Sequence, residues 1–372
     1  MKVGSTLRTV VPFFPAREEF LVLRPQLEKA LNVVGNSGRW ILGRQVEIFE
    51  KELGRLIGVK YVVSCASGTD AITLTLMAWG LGVGDEVVVP ANCYPTVFGV
   101  AAAGCTPLLV DIDPATGCLD PKLLPKVITP TTRAVLAVHL YGMPADVAAI
   151  QSFCKQRKLI LIEDCAQAVG TMIKDRHVGT WGDVGVLSFY PTKNLGAYGD
   201  GGAVITNNRG LAERVRRLRM YGEQERYNSI VIGRNSRLDE LQAAFLLVKL
   251  PFVRQWVERR RYLAGLYQIG LSTLPIMLPK EPADIVHSYH LFVLLSEKRR
   301  SLQAYLFHKG IETVVHYPRP IHLTQAFFHL KRKRKFLQAE RWSRLVLSLP
   351  MHPFLTDQQV TYTVSVIKDF FS

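Results

Sequence analysis

Leu159-Ile160-Leu161-Ile162-Glu163-Asp164-Cys165-Ala166-Gln167 is an apolar run that breaks on two carboxylates. Downstream, Val184-Gly185-Val186-Leu187-Ser188-Phe189-Tyr190-Pro191-Thr192-Lys193-Asn194 repeats the form, apolar first and polar after, just ahead of Gly199-Asp200-Gly201-Gly202. Neither run alternates. Continuous apolar strands are those buried on both faces, as in a mostly parallel sheet covered by helices. The same reading extends upstream to residues 61–63, 86–89, 107–110 and 134–138. Stretches of helix length separate these runs, so β-α-β units and an α/β fold are expected.

After residue 206 the pattern changes. Residues 211–220 and 238–250 read as helices. In the second, Leu238, Leu241, Phe245 and Val248 recur at helical spacing, and Pro251 marks its end. A long helix through 256–267 leads into a smaller C-terminal part. There residues 290–295 read as a strand and 301–309 as a helix closed by Gly310.

The 372 residues suffice for a large domain and a smaller one, and 48% hydrophobic content predicts a packed core. The six cysteines form no C-x-x-C pair, so zinc and thioredoxin-like readings are weak and no metal is expected. Several lie in apolar runs, as reduced buried cysteines do. Residues 1–9 are polar and lack the apolar core of a secretory leader. No apolar run approaches the ~20 residues of a membrane span. A cytoplasmic protein is expected. The formal charge of +15 gathers late, at Arg214, Arg216, Arg217 and Arg219, at Arg259 to Arg261 and at Lys331 to Lys335. Solvated helix faces explain such clusters most simply. An acidic small molecule is the functional reading, because no RNA-binding or zinc-finger pattern argues for nucleic acid.

Open parallel sheets bind ligands beyond the carboxyl ends of their strands. Asp164, Ser188 and His139 all sit there. A lysine at one strand mouth and an aspartate at another are what pyridoxal phosphate (PLP) requires. Lys193 can form a Schiff base with its aldehyde, and Asp164 can keep its ring nitrogen protonated. Ser67-Gly68-Thr69-Asp70 joins a strand to a helix start, where free N–H groups and the helix dipole hold phosphate. The same residues also read as an ordinary N-cap. The Ser188 hydroxyl can share that phosphate with Gly68 and Thr69. Gln167 can serve a cofactor hydroxyl or simply begin a helix. Tyr94, in Asn92-Cys93-Tyr94-Pro95-Thr96, can stack on a flat ring or pack in the core.

Taken together, these segments resemble the DegT/StrS sugar aminotransferases among the fold-type-I PLP enzymes. The likeness runs from Gly38-Arg39-Trp40-Ile41-Leu42-Gly43 to Leu347-Ser348-Leu349-Pro350-Met351. Between them lie Gly84-Asp85-Glu86-Val87, Val110-Asp111-Ile112-Asp113, His139-Leu140-Tyr141-Gly142, Gly233-Arg234-Asn235-Ser236-Arg237 and His316-Tyr317-Pro318-Arg319-Pro320-Ile321-His322. The resemblance implies a large PLP-binding domain over residues 1–250, with a mostly parallel seven-stranded sheet, and a linker helix with a small α+β domain over 251–372. It implies that Lys193 bears PLP, that Asp164 partners the ring nitrogen, and that Gln167 meets the ring hydroxyl. Gly68, Thr69 and Ser188 would hold the phosphate, and Tyr94 would stack on the ring. Asn235 would reach the phosphate of a partner subunit, making the active enzyme a homodimer. Histidine replaces the lysine in dehydratase relatives, so Lys193 favours transamination.

The implied reaction moves an amino group from L-glutamate to the keto carbon of a nucleotide-linked sugar. The wording around Lys193 and Asn235 is similar to enzymes acting on dTDP-3-keto-6-deoxyhexoses. A 4-keto sugar is the competing substrate, and a PLP-bearing regulatory or sensor protein the competing class. His316, Tyr317 and His322 are candidates for the nucleotide-sugar pocket, and Arg219, Arg226 and Arg237 for its diphosphate.

Overall fold

The computed structural model describes residues 11–331 and 335–372. The polar stretch 1–9 and the centre of the basic run 331–335 lie outside the described residues. The apolar runs become strands β1 (Tyr61–Cys65), β2 (Glu86–Pro90), β3 (Thr106–Val110), β4 (Thr132–Val138), β5 (Ile160–Asp164) and β6 (Val184–Ser188). With β7 (Gly202–Thr206) they form one seven-stranded sheet in the order β1-β7-β6-β5-β4-β2-β3. Its pairs are parallel except at β7, which runs antiparallel to both β1 and β6. The strand β7 has no counterpart among the runs read from sequence, because it opens inside the glycine turn. Gly202 is required there: a Cβ would lie 2.4 Å from the carbonyl carbon of Ser67, at the loop leaving β1.

Helices α1 (Ala16–Ser37), α2 (Arg44–Ile57), α3 (Gly68–Ala78), α4 (Tyr94–Ala102), α5 (Val147–Arg157), α6 (Arg209–Leu218), α7 (Glu240–Lys249) and α8 (Val253–Leu271) surround the sheet or lead away from it. The α3 helix packs on β6, β7 and α4, while α1 and α2 pack on α7. A single turn, Leu250–Phe252, separates α7 from α8 at Pro251. Beyond it, strands β8 (Phe292–Leu295) and β9 (Val346–Leu349) pair antiparallel. Around them stand α9 (Arg299–His308), α10 (Leu337–Leu345) and α11 (Asp357–Phe371). Tyr267, Leu294, Leu302, Leu347 and Ile367 share a core there. No described helix is long and apolar enough to cross a membrane. All six cysteines are buried and unpaired, and burial pushes the Cys65 thiol up to about 12.

Buried charge fastens the outer helices. The Glu240 carboxylate, on α7, accepts backbone N–H bonds from Gly43 (2.8 Å), Gln45 (2.5 Å) and Val46 (3.2 Å), so it caps the start of α2. Removing it orphans amides that a helix start cannot otherwise satisfy. Glu240→Ala is therefore expected to lower unfolding free energy by about 3 kcal/mol in urea titration. A change below about 0.5 kcal/mol, the usual surface value, would refute this capping role.

Candidate active site

Because β5 and β6 are neighbours, their carboxyl ends deliver Asp164 and Ser188 to one edge of the sheet. After Ser188 the chain turns, and the Lys193 N–H donates to the Tyr190 carbonyl at 2.8 Å. Lys193 and Asp164 then line one cavity of about 360 Å³, together with Gly68, Thr69, Gln167, Ser188, His316 and Tyr317. That volume suits a small-molecule site, for which roughly 300–1,000 Å³ is usual.

Asp164 is held firmly. Its Oδ2 accepts from the Thr96 hydroxyl at 2.8 Å and its Oδ1 from the Ala166 N–H at 3.0 Å. Burial raises its pKa, opposed by those two bonds and by Lys193. Beneath it, His139 Nδ1 accepts from the Ala145 N–H at 3.1 Å, so its Nε2 carries the proton and donates to Glu163 at 3.0 Å. Glu163 also accepts from the amides of Gly179, Trp181 and Gly182. Burial works against its charge, yet His139 and these amides hold its pKa below the ordinary value. His139, Glu163 and Cys165 lie within ligand distance of one another, but the first two spend their polar atoms on this strut.

Burial draws Lys193 down to about 8, with Asp164 pulling the other way. Nearby, burial and Lys193 hold His316 at about 4 and His290 well below its ordinary value, so both imidazoles are neutral at pH 7. Gln167 accepts from the Tyr141 N–H at 2.7 Å and donates to the Tyr317 hydroxyl at 3.2 Å. At the start of α3, Ser67 Oγ accepts from the Asp70 N–H, and the first intrahelical bond runs from Ala71 to Ser67. The amides of Gly68 and Thr69 precede that bond. Gly68 must be glycine here, since a Cβ would come within 2.8 Å of Ser188 Cβ. An amine, a carboxylate and a glycine-opened helix start around one cavity fit PLP: aldehyde, ring nitrogen and phosphate each meet a group of suitable chemistry.

Six sequence candidates lie off the cavity wall. Tyr94 is not on the cavity wall. It begins α4, and its ring turns to Phe98 (5.1 Å between centroids), one helical turn on, and towards Tyr317 (6.1 Å). His322 is fully buried, bonded to Glu340 at 3.0 Å and packed on Phe336. This corrects its reading as a pocket residue. Asn235 lies outside its own chain's cavity, bridged to Met220, while its neighbour Ser236 donates to Asp70 at 2.7 Å. Arg219 is also corrected: buried, it pairs with Glu50 at 2.8 Å and donates to the Ser64 carbonyl. Arg226 and Arg237 line a separate open groove with Arg216, Arg217 and the carboxylates of Glu213, Glu223 and Glu225.

Sequence reading missed Thr96 and His290. Thr96 looks like any first-turn threonine. His290 sits inside an apolar run and reads as strand, yet it lines the cavity, and its buried Nδ1 has no hydrogen-bond partner among the described residues.

Residues 23–368 match the family described as the DegT/DnrJ/EryC1/StrS aminotransferase family. The chain belongs to that family. It is a PLP-dependent aminotransferase. A "pleiotropic regulatory protein" of Geobacillus stearothermophilus is 41% identical over 97% of this chain and 98% of its own length. The dTDP-3-amino-3,4,6-trideoxy-alpha-D-glucose transaminase of Streptomyces venezuelae is 41% identical over 97% of this chain and 96% of its own. The crystal structure of S. venezuelae DesV in complex with a ketimine intermediate superposes with a TM-score of 0.95, at 40% identity, covering 98% of this chain and 99% of that one. Names among further relatives refer to UDP- and GDP-linked sugars, and a further solved neighbour carries the cofactor as PMP.

The lowered Lys193 pKa makes the cofactor-free protein's stability depend on pH. Between about 8 and the unfolded value near 10.4, the unfolded chain binds more protons, so stability rises with pH in that window. Lys193→Met removes the rise. Urea titrations of the apo-proteins should therefore show the variant more stable at pH 7, with the gap closing towards pH 10. Parallel pH profiles would contradict the shift.

Proposed function

We propose that this enzyme transfers the amino group of L-glutamate to the keto carbon of a nucleotide-linked deoxysugar, with dTDP-3-keto-6-deoxyhexose its foremost substrate. The observation that carries the reading is the shared cavity of Lys193 and Asp164, with Gly68, Thr69 and Ser188 at its phosphate end. The dTDP-sugar transaminase at 41% identity supports the choice of substrate. Six buried unpaired thiols suit a cytoplasmic setting, where thiols stay reduced.

When bound, PLP supplies an electron-accepting ring that stabilises negative charge at the substrate carbon. The remaining work falls to the chain. Lys193, drawn to about 8, is suited to take and return a proton at the carbon bearing the amine, since a general base works best near the operating pH. Asp164, fixed by Thr96 and Ala166, holds positive charge at the ring nitrogen. Gln167 and Tyr317 form a coupled pair towards the ring hydroxyl, and His316, neutral and bonded to Ser348, faces the sugar. Tyr94 remains proposed as a ring contact from the cavity rim.

Among the described residues on the cavity wall, Lys193 is the one lysine or arginine, whereas a nucleotide diphosphate requires several positive contacts. We infer that a second copy supplies them. The groove bearing Arg226 and Arg237 is partly walled by the hairpin of Glu223–Glu225 and Asn228–Ser229, whose Tyr227 is 83% exposed, and Ile232 just beyond it is 91% exposed, as at a surface awaiting a partner. In the homodimer so formed, Asn235 and this hairpin complete the neighbour's site.

The name of the Geobacillus relative favours a second reading, a PLP-bearing regulator. Incubation with glutamate and dTDP-3-keto or dTDP-4-keto sugar, read by NMR, separates the readings. An amine at C3 and 2-oxoglutarate are expected, both lost in Lys193→Ala. An amine at C4 overturns the keto position, and no turnover of any sugar nucleotide favours the regulator. The shared site has its own test. Mixing inactive Lys193→Ala and Asn235→Ala chains should regenerate activity through hybrids that carry one intact site. Failure to do so, with hybrid formation verified by native mass spectrometry, refutes sharing.

A further inference from the structure

The turn carrying Lys193 is gripped from behind by α7 and α1. Gln242 on α7 accepts from the Tyr198 N–H at 2.9 Å and donates to the Tyr198 carbonyl at 3.4 Å. Two helical turns on, along the same face, Lys249 Nζ donates to the Gly196 carbonyl at 2.7 Å. Gly196 lies against the start of the turn, for a Cβ there would fall 2.3 Å from the Pro191 carbonyl oxygen. Holding Gly196 therefore holds both arms of the turn between which Lys193 stands.

Lys249 is 1% exposed. Its ammonium meets Glu19 of α1 at 2.5 Å and lies 3.7 Å from the centroid of the Tyr198 ring. A buried ion pair is a poor source of stability, because well-packed apolar residues of the same volume serve as well or better. Placing one here orients a donor at a chosen carbonyl. None of these residues lines the substrate cavity.

We propose that Lys249 and Glu19 are positioning residues: the ammonium, oriented by the α1 carboxylate, pins the Gly196 carbonyl and so sets where Lys193 stands relative to Asp164. This rests on reading Lys193 as the amine that captures PLP.

The test compares wild type, Lys249→Met, the Glu19→Gln/Lys249→Met double variant and Lys193→Ala. Three quantities are read: apo-protein melting temperature, the pH-dependent rate at which apo-protein captures PLP (visible absorbance), and kcat and KM with glutamate. Lys249→Met, which leaves Glu19 buried without its partner, should melt lower. It should also capture PLP about tenfold more slowly or worse, since misplacement by about 1 Å can cost as much as a hundredfold. The double variant should regain the melting temperature but keep slow capture, a displaced pH profile and a lowered kcat at unchanged KM. Recovery of capture and kcat together with stability would show that only the unpaired charge mattered, and would overturn the proposal. So would wild-type capture in Lys249→Met. Persistence of the PLP band in Lys193→Ala would instead sink the reading of Lys193 itself.

Discussion

A buried amine must stay close to neutrality while a carboxylate beside it stays charged, and burial favours only the first. Lys193 drifts down to about 8 without further help. Burial raises the Asp164 pKa, and Ala166 and Thr96 limit the rise with one hydrogen bond to each oxygen. The parallel sheet makes this arrangement possible. Neighbouring strands β5 and β6 end at the same edge, so residues far apart in sequence face one hollow. Beneath that edge the Glu163–His139 strut fixes the loop 179–182 to the end of β5 through the amides of Gly179, Trp181 and Gly182.

The interior sorts its polar groups into two kinds. Glu240 is spent on backbone amides, Arg219 on Glu50 and the Ser64 carbonyl, and His322 on a hydrogen bond with Glu340. The cavity group instead keeps unspent capacity: His290 Nδ1 has no hydrogen-bond partner among the described residues, and Lys193 faces the hollow. A wall so poor in fixed positive charge takes substrates of high negative charge only if cations come from elsewhere. The proposed source is a second chain's groove, where Arg216, Arg217, Arg226 and Arg237 outnumber Glu213, Glu223 and Glu225 by one charge.

What could be read from sequence follows the same division. Continuous apolar runs mark β1 to β6 because burial on both faces leaves no polar phase. The glycine turn hid β7, whose opening residue is dictated by contact with Ser67. Lys193, Asp164, Ser188, Gly68, Thr69 and Gln167 can be proposed from sequence because strand ends and a helix start are local features, while His316 and Tyr317 are suggested only by the family resemblance; all eight line one cavity. Arg219 and His322 were misjudged because the groups that occupy them, Glu50 and Glu340, are chosen by tertiary packing. Thr96 and His290 were missed for the converse reason: nothing in their neighbours announces the cavity they face.

The central claim is that one amine, on the turn after β6, captures the cofactor opposite Asp164. Borohydride reduction of the PLP-loaded protein, followed by peptide mass spectrometry, fixes the site of attachment. The account predicts a pyridoxyl adduct on the peptide containing Lys193. An adduct confined to another lysine, such as Lys249, or none on a protein that retains PLP, would contradict it.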